Sequence, residues 1–363
     1  MDELCCESII DFNFFEVAHK NSFAVLLIAL EHHELYNFDL NSTDEWGNTI
    51  LHICATKGIF NSPSKANING LNKITKKPID LEHKNICTKI INILVGKGAS
   101  INKPNLYGET PIFSAVRSKN INLVKFFHEN GAYLTYCNKN NETLLHISED
   151  LSITKYLVKN GLDVNKEAQC FITALQARVY QNNVEISRYL IDNGANINVL
   201  DTHKRNLLHI AIMLNFYEIA ELLVEKKINL NALNEYHYTP LHYAVEILRE
   251  KFVYLLLING ADVNISDLDD YTPLHAAAAR AGPNLIKLLL KYKPREHKTI
   301  HGDLPVHIAA RYLNLHALLL LLNKENMTAL NKEYKTPLQL ACDEDKDMKK
   351  WFIHHGFFKD RST

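Results

Sequence analysis

Apolar and polar positions along residues 239–260 form a pattern that predicts two short helices. The first apolar set has the spacing of one helical face: Leu241, Ala244, Val245. Thr239 suits a helix N-cap, and the following proline costs nothing at the first helical position, where its N–H would be unpaired anyway. A second apolar run covers residues 252–257, and Gly260 suits the left-handed backbone that ends a helix. The stretch therefore predicts a helix-turn-helix unit.

The same pattern returns along the chain at nearly regular intervals. Thr239 to His242 reads TPLH, and so does Thr272 to His275. We call the residue aligned with Thr239 the cap position; the remaining cap positions are Thr49, Thr110, Thr143, Thr173, Asn206, Leu304 and Thr336. Subtracting successive numbers of these positions gives 61, 33, 30, 33, 33, 33, 32 and 32. Because two helices of about ten residues cannot bury both apolar faces, the units are expected to stack on one another.

A repeat with this period, about 33 residues, and a Thr-Pro-Leu-His core resembles the ankyrin-repeat family. The resemblance implies an all-α fold, an ankyrin-repeat solenoid of stacked helix-turn-helix units with β-hairpin tips. In that family the Thr and His of the core hydrogen-bond each other and the neighbouring tip. The resemblance thus implies a structural role for His52, His146, His209, His242, His275 and His307.

The repeats are predicted to occupy the whole sequence. Residues 1–43 lack the core motif and are interpreted as a degenerate N-terminal capping repeat, with helices near Phe14 and over residues 23–30. Residues 44–331 hold the ankyrin repeats, and residues 332–363 a C-terminal capping repeat and a short tail. The interval from Thr49 to Gly98 is more than twice the interval from Thr239 to Gly260. The difference predicts an inserted loop at about residues 59–86, either a plain excursion or a contact element.

Some repeats depart from the pattern. The third is shortened near Ser148, and Lys227 and Lys293 stand where other repeats have the terminating glycine. Five consecutive leucines, residues 318–322, predict a second helix that is buried on both sides.

Composition narrows the functional classes. The net charge is −1, with 40 basic and 41 acidic residues, so no overall field favours nucleic acid. The seven cysteines are odd in number and contain no CxxC pair, which argues against a disulfide framework or a zinc finger. No basic leader or long apolar run is present, so membrane insertion is not expected. We expect an intracellular protein, cytoplasmic or also nuclear, that is monomeric by itself.

Catalytic motifs are absent from the sequence. It contains no phosphate-binding G-x-x-x-x-G-K-[ST] loop, no H-E-x-x-H and no G-x-S-x-G. We therefore predict no enzyme activity, no catalytic residues and no cofactor; an enzyme site on the repeats or the insertion is the alternative class. His297, His301 and His307 have a spacing loosely like metal ligands, but His307 belongs to the repeat motif, so no metal is expected.

Partner binding is the expected function. The family resemblance places partner contacts four, three and one residue before the cap position and seven and eight after it. These 45 positions hold eleven Trp, Tyr or Arg, against about three expected from 2 Trp, 16 Tyr and 9 Arg in 363 residues. The candidates are Trp46, Tyr107, Arg117, Tyr180, Arg205, Tyr236, Tyr238, Tyr271, Arg280, Arg311 and Tyr312. Packing of a tip tyrosine on the adjacent repeat is the alternative for each.

A modification site also follows from the resemblance. In ankyrin proteins an asparagine after the Gly-Ala step is a substrate for an intracellular asparaginyl hydroxylase. Asn198 and Asn264 match that context, and Asn165 is a near match. A purely structural asparagine is the alternative.

The sequence thus predicts a non-catalytic protein-binding scaffold, adaptor or inhibitor that grips a protein partner in its concave groove. A composition rich in Asn, Ile and Lys is compatible with a viral or symbiont effector directed at a host. The alternative function is a substrate-recruiting subunit of a ubiquitin ligase.

Overall fold

The computed structural model of the protein describes residues 13–20, 23–31, 39–57 and 86–357. Within these ranges the fold is all-α, with twenty α-helices, two 3₁₀ turns and no β-strand. The expected inserted loop at about 59–86 lies outside the described residues except for Ile86, which begins a helix. This arrangement confirms the all-α, ankyrin-type class predicted from the repeats.

The helices occur in pairs that follow the sequence period. Helices α1 (Phe14–His19) and α2 (Phe23–Glu31) precede the repeats, at the places where helices of an N-terminal repeat are expected. The first helices of the nine repeats are α3 (Ile50–Lys57), α5 (Pro111–Arg117), α7 (Leu144–Ile147), α9 (Ala174–Tyr180), α11 (Leu207–Met213), α13 (Pro240–Glu246), α15 (Pro273–Arg280), α17 (Pro305–Arg311) and α19 (Pro337–Glu344). The second helices are α4 (Ile86–Gly96), α6 (Ile121–Glu129), α8 (Leu151–Lys159), α10 (Val184–Asp192), α12 (Tyr217–Glu225), α14 (Glu250–Ile258), α16 (Pro283–Lys291), α18 (Leu315–Leu321) and α20 (Lys346–His354).

Helix boundaries follow from capping chemistry. Thr239 has extended backbone angles, its hydroxyl accepts the N–H of His242, and Pro240 occupies the first turn. Second helices often end at a glycine in the left-handed region, as at Gly260 with φ 93°. In two of the repeats that lack this glycine, Lys227 and Lys293 adopt φ of 60° and 50°. The turn geometry is thus kept in these two repeats, at the steric penalty that a side chain carries there.

Contacts within the chain divide it into two compact units. The first comprises residues 1–178 and 185–195, and the second residues 179–184 and 196–363. Each unit has its own apolar core between successive helix pairs; fully buried side chains include Ile90, Phe113, Phe127 and Leu157 in the first and Leu241, Leu256, Ile286 and Leu318 in the second.

The turns that precede the cap positions, which we call tips, contain no regular strand among the described residues. Within the described ranges, β-type pairing is limited to the isolated bridges Glu167 with Thr173 and Leu200 with Asn206. The tips instead close with short-range backbone bonds, such as Asp267 N–H to Tyr271 O at 2.9 Å and Asp270 N–H to Asp267 O at 3.1 Å. Successive tips within a unit are joined as well, since the backbone N–H of one tip donates to a carbonyl of the tip before it. These bonds are Leu106 to Trp46, Lys139 to Tyr107, Gln169 to Asn140, Glu235 to His203, Ile300 to Asp269 and Lys332 to His301, at 2.9 to 3.1 Å.

The prediction for the five leucines is wrong in one respect. Leu318 is fully buried, but Leu319 is 47% exposed. Only one face of helix α18 packs on other helices, so the run of leucines is buried on one side of the helix and not on both.

The shortened third repeat is completed by an arginine from the fourth. Helix α7 has only four residues and ends at Ile147. Arg178 lies in α9, is 1% exposed, and donates from Nη1 to Ser148 O and from Nη2 to His146 O, both at 2.6 Å. Five residues after the cap position, where Arg178 stands, the other repeats have Ala, Ser or Cys. The missing residues of the third repeat therefore leave room for a guanidinium, which satisfies the carbonyls at the end of the short helix.

Candidate functional site

The tips hold the candidate tyrosines through side-chain to backbone bonds. The Oδ1 of Asn234 accepts the backbone N–H of Tyr236 and of Tyr238, at 2.9 and 2.8 Å. In the next tip the Oδ1 of Asp267 accepts the backbone N–H of Asp269 and of Tyr271, at 2.9 and 2.8 Å. The backbone of both tips is therefore fixed without any partner.

A buried histidine of the preceding repeat also hydrogen-bonds to each of these tips. The Thr239 N–H donates to His242 Nδ1 at 3.1 Å, so this nitrogen carries no proton and Nε2 carries it. Nε2 then donates to Tyr271 O, 3.1 Å away in the next tip. Equivalent bonds run from His52, His146, His209 and His275 to the following tip. These contacts confirm the structural role that the repeat motif implied.

Burial sets the protonation state of these histidines. It lowers the pKa of His209, His242 and His275 to about 4, although each Nε2 donates to a backbone carbonyl, a bond that raises the pKa. Burial also lowers the pKa of His52, His146 and His307. The rings are consequently neutral near pH 7, as the acceptor role of Nδ1 requires.

A cavity of about 220 Å³ lies beside the tips of the sixth and seventh repeats, within the second unit. It gathers four of the candidates, Tyr238, Tyr271, Arg280 and Tyr312. The other lining residues are His242, Val245, Glu246, Leu248, Asp267, Asp269, His275, Ala276 and Ala279. Tyr238 is stacked on His242 with ring centroids 5.5 Å apart, and Tyr312 is 58% exposed. The cavity is thus lined by an aromatic ring that is held in place, that of Tyr238, and by a solvent-exposed one, that of Tyr312.

Negative charge prevails in this cavity. Three lining residues are acidic, Glu246, Asp267 and Asp269, and Arg280 is the basic one. Burial, together with the nearby carboxylates of Glu246, Asp267 and Asp269, raises the pKa of Tyr238 to about 12. Burial also raises the pKa of Asp267, although the two backbone N–H groups that it accepts act in the opposite direction.

The remaining candidates of the second unit lie outside the cavity lining. Tyr236 is 59% exposed at its tip. Arg205 donates from Nε to Asp201 at 2.7 Å, and Arg311 donates to Asp303 and Glu333 at 3.3 and 2.8 Å. Tyr180 is 40% exposed. The two arginines are thus engaged in ion pairs of their own unit, and neither they nor Tyr236 line the cavity.

Three candidates belong to the first unit. Trp46 and Tyr107 are 44% and 60% exposed, and Arg117 pairs with Glu109. Tyr107 and Arg117 border a more open depression that also includes Leu106, Lys139 and Glu142. Partner binding at any of the eleven positions stays a prediction.

The sequence reasoning missed the acidic residues of the cavity. Glu246 and Asp269 occupy partner-contact positions, seven after and three before a cap position, but only Trp, Tyr and Arg were sought there. Counting charged residues at each repeat position would have identified Glu246 and Asp269.

The asparagines considered for hydroxylation differ in their surroundings. Asn165 is exposed and donates from Nδ2 to Gly194 O at 2.9 Å. The Oδ1 of Asn264 accepts the N–H of Arg295 at 2.7 Å, and Asn198 is exposed. Hydroxylation stays a prediction for all three.

The described part of the chain holds neither a metal-binding cluster nor a helix able to span a membrane. No group of three or more His, Cys, Asp or Glu side chains there is placed to hold a metal ion. His307 accepts the Leu304 N–H at 3.1 Å, and His297 Nε2 lies 3.7 Å from Asp270 Oδ1. No helix over the same residues has the length and apolar character needed to cross a membrane.

Comparison with protein families places ankyrin repeats, as a three-copy model, on residues 82–168, 147–234, 175–267, 241–329 and 274–363. A Fowlpox virus (strain NVSL) protein described as a putative ankyrin repeat protein, FPV024, is 33% identical over 100 residues, which is 26% of this chain and 17% of the viral protein. The family matches together run from residue 82 to 363, well over half of the chain. The chain therefore belongs to the ankyrin-repeat family, whose typical role is non-catalytic protein binding.

Proposed function

We propose that this protein is a scaffold that grips a protein partner at the cavity of the sixth and seventh repeats, with Tyr238, Tyr271 and Tyr312 as anchors. The observation that carries the proposal is that these candidates, predicted from repeat position and residue type, line one cavity together with Arg280. Tyrosines at the centre of an interface contribute strongly to binding.

The preorganised tips favour binding at this place. Tyr238 and Tyr271 are half-buried, their backbone is fixed by Asn234 and Asp267, and Tyr238 already rests on His242. A partner that contacts them loses little further conformational freedom in these side chains, so more of the contact energy appears as affinity.

Inhibitor, adaptor and host-directed effector are roles that this mechanism serves equally. Similarity of a segment to a viral ankyrin repeat protein supports the effector role within the proposal. The proposed site of action is intracellular, in the cytoplasm or also in the nucleus.

The test is affinity purification with the full chain, followed by binding measurements on the captured partner. Tyr238→Ala combined with Tyr271→Ala is expected to weaken that partner at least about a hundredfold. Ala279→Trp, which fills the cavity from a half-buried helix position, is expected to do the same without touching a tyrosine.

The matched control is Tyr254→Ala, an exposed tyrosine on α14 outside the cavity, which is expected to bind normally. Circular dichroism and thermal unfolding establish that each variant is folded. Wild-type affinity in both folded cavity variants contradicts the proposed site. Copurification of cullin-type subunits with the chain indicates ligase recruitment in place of inhibition.

A further inference from the structure

The occupant of the cavity can be inferred from its size, its lining and its charge, given the proposed function on which the inference rests. A water molecule takes about 30 Å³ in the liquid, so a volume of about 220 Å³ is large enough for one long side chain, arginine or lysine included. The lining and its charge decide which side chain it suits.

The lining has the two kinds of surface that an arginine needs. Val245, Leu248, Ala276 and Ala279 offer apolar contacts to the methylene part of the chain. The rings of Tyr238 and Tyr271 offer aromatic surface, on which a planar guanidinium packs more favourably than an ammonium group.

Charge complementarity completes the argument. Three carboxylates and one guanidinium give the lining a formal charge of −2, counting Glu246, Asp267 and Asp269 against Arg280. Within the described chain, the side chains of Glu246 and Asp269 form no ion pair that would neutralise them. Burial is the main cause of the raised pKa of Tyr238, and the three carboxylates add to it because they disfavour a second negative charge nearby; they favour a positive one.

We propose that this cavity binds an arginine side chain from an exposed segment of the partner protein, with the guanidinium near Glu246, Asp267 and Asp269 and the methylenes on Val245, Ala276 and Ala279. Arg280 lies on the same wall and opposes the bound charge. Its removal is therefore expected to strengthen arginine binding.

Methyl NMR on the full chain tests the proposal directly, because two lining residues are alanines. The probe is N-acetyl-arginine methylamide, compared with the neutral isostere N-acetyl-citrulline methylamide and with N-acetyl-glutamate methylamide. We expect saturable shifts of the Ala276 and Ala279 methyl signals with the arginine probe. The citrulline probe is expected to bind at least about tenfold more weakly, and the glutamate probe to leave both signals unchanged.

Variants give the second half of the test. Glu246→Gln with Asp269→Asn is expected to weaken the arginine probe about tenfold or more, and Arg280→Ala to tighten it several-fold. Glu296→Gln with Glu325→Gln makes the same change of net charge at exposed positions outside the cavity and is expected to have no effect. Tighter binding of the glutamate probe, equal binding of arginine and citrulline, no shift with arginine at about 50 mM, or a loss of binding in Arg280→Ala overturns the proposal.

The outcomes separate this inference from the proposed function. If no arginine binds while the tyrosine variants still abolish partner binding, the interface stands and only its occupant is misassigned. If arginine binds while the tyrosine variants retain the partner at wild-type affinity, the cavity recognises cations but is not the partner site.

Discussion

At the scale of single residues, the histidines of the repeat motif are the most constrained side chains. Nδ1 must accept from the backbone of the cap position, and Nε2 must donate to the next tip. A protonated ring has no acceptor nitrogen, so protonation removes the first of these bonds. The motif indicated the Thr–His pairing, but the size of the pKa shift depends on burial, which only the stacked structure shows.

His242→Gln separates the bonding role of this residue from its titration. Gln176 and Gln339 show that a glutamine oxygen can accept the N–H of the cap residue, at 2.8 and 2.9 Å. At pH 7.5 the variant is expected to be less stable by about 1–2 kcal/mol, because the bond to Tyr271 O is lost.

The difference is expected to shrink in acid. The pKa of His242 is about 4 in the folded protein, below the ordinary 6.5, so the unfolded chain binds the extra proton. The contribution of this residue is full above pH 6.5 and decreases as the pH falls towards 4. Between pH 7.5 and 5.0 the wild type should lose about 2 kcal/mol more than the variant. Urea midpoints at both pH values measure this, with exposed His316→Gln as the control; an unchanged difference would contradict the assignment.

The position of a tyrosine in the cavity could be predicted only in part. The repeat register assigned Tyr238 and Tyr271 to tips and Tyr312 to a helix end, but it did not indicate that all three line one cavity. It did not separate them from Tyr236, because two residues of one tip can point to different sides, and that direction depends on the adjacent repeat. Leu319 shows the same limit, since a run of identical leucines contains no periodicity from which the exposed face could be predicted.

At the scale of helices, stacking makes the first-helix leucines the central packing elements. Leu241 and Leu274 are 0% and 6% exposed. Leu241→Ala and Leu274→Ala each remove a buried side chain between packed repeats and are expected to cost about 2–5 kcal/mol. Chemical denaturation measures the loss. Leu319→Ala on α18, where the leucine is 47% exposed, is the control and should stay within about 0.5 kcal/mol of the wild type.

The contact between Arg178 and the short helix α7 could not be predicted from the repeat period. The short interval from Thr143 to Thr173 showed that the third repeat is reduced, and the structure shows that only four residues of its first helix remain. The sequence does show that Arg178 is unusual, because the other repeats have Ala, Ser or Cys at its position. It could be interpreted only once the two carbonyls beside it were known.

Substitution of Arg178 is expected to destabilise the first unit. In Arg178→Met the buried carbonyls of His146 and Ser148 lose their hydrogen-bond donors, and each loss costs about 1–3 kcal/mol. Part of this cost is offset, because the methionine variant does not have to bury a charge. Thermal unfolding and hydrogen exchange of α8 measure the effect. Arg178→Lys should be intermediate, since it keeps a donor, and exposed Arg249→Met should be neutral. Wild-type stability in Arg178→Met would contradict this account.

At the scale of the whole molecule, the two units differ in their content of buried histidines. The motif histidines His52 and His146 belong to the first unit, and His209, His242, His275 and His307 to the second. All six have a lowered pKa, with burial as the largest cause. At a pH between its folded and its ordinary pKa, each of these histidines takes up a proton when the chain unfolds. Acidification through that range therefore lowers the free energy of unfolding.

The second unit is therefore expected to lose stability faster than the first between pH 6.5 and about 4. Asp267 acts in the opposite sense, because its raised pKa favours the folded state in acid, but one carboxyl does not offset four histidines. Hydrogen exchange resolved by peptide at pH 7 and 5 measures the two units separately. Replacing His209, His242 and His275 by Gln should remove the difference, and equal acid sensitivity of both units in the wild type would contradict the prediction.

The pairing of Arg178 with the short helix α7 limits how this chain can have gained or lost repeats. Tandem arrays grow when one repeat is copied beside itself, and a regular repeat can be copied alone because its neighbours are alike. The third repeat differs, because a copy beside itself would place a serine, the counterpart of Ser148, where Arg178 now stands, and the carbonyls of His146 and Ser148 would lose their donors. The fourth differs as well, since its arginine would then face a full-length helix with no room for it. Duplication of either repeat alone is therefore expected to cost stability, whereas the third and fourth repeats copied together, as one block of about two periods, keep the pair intact.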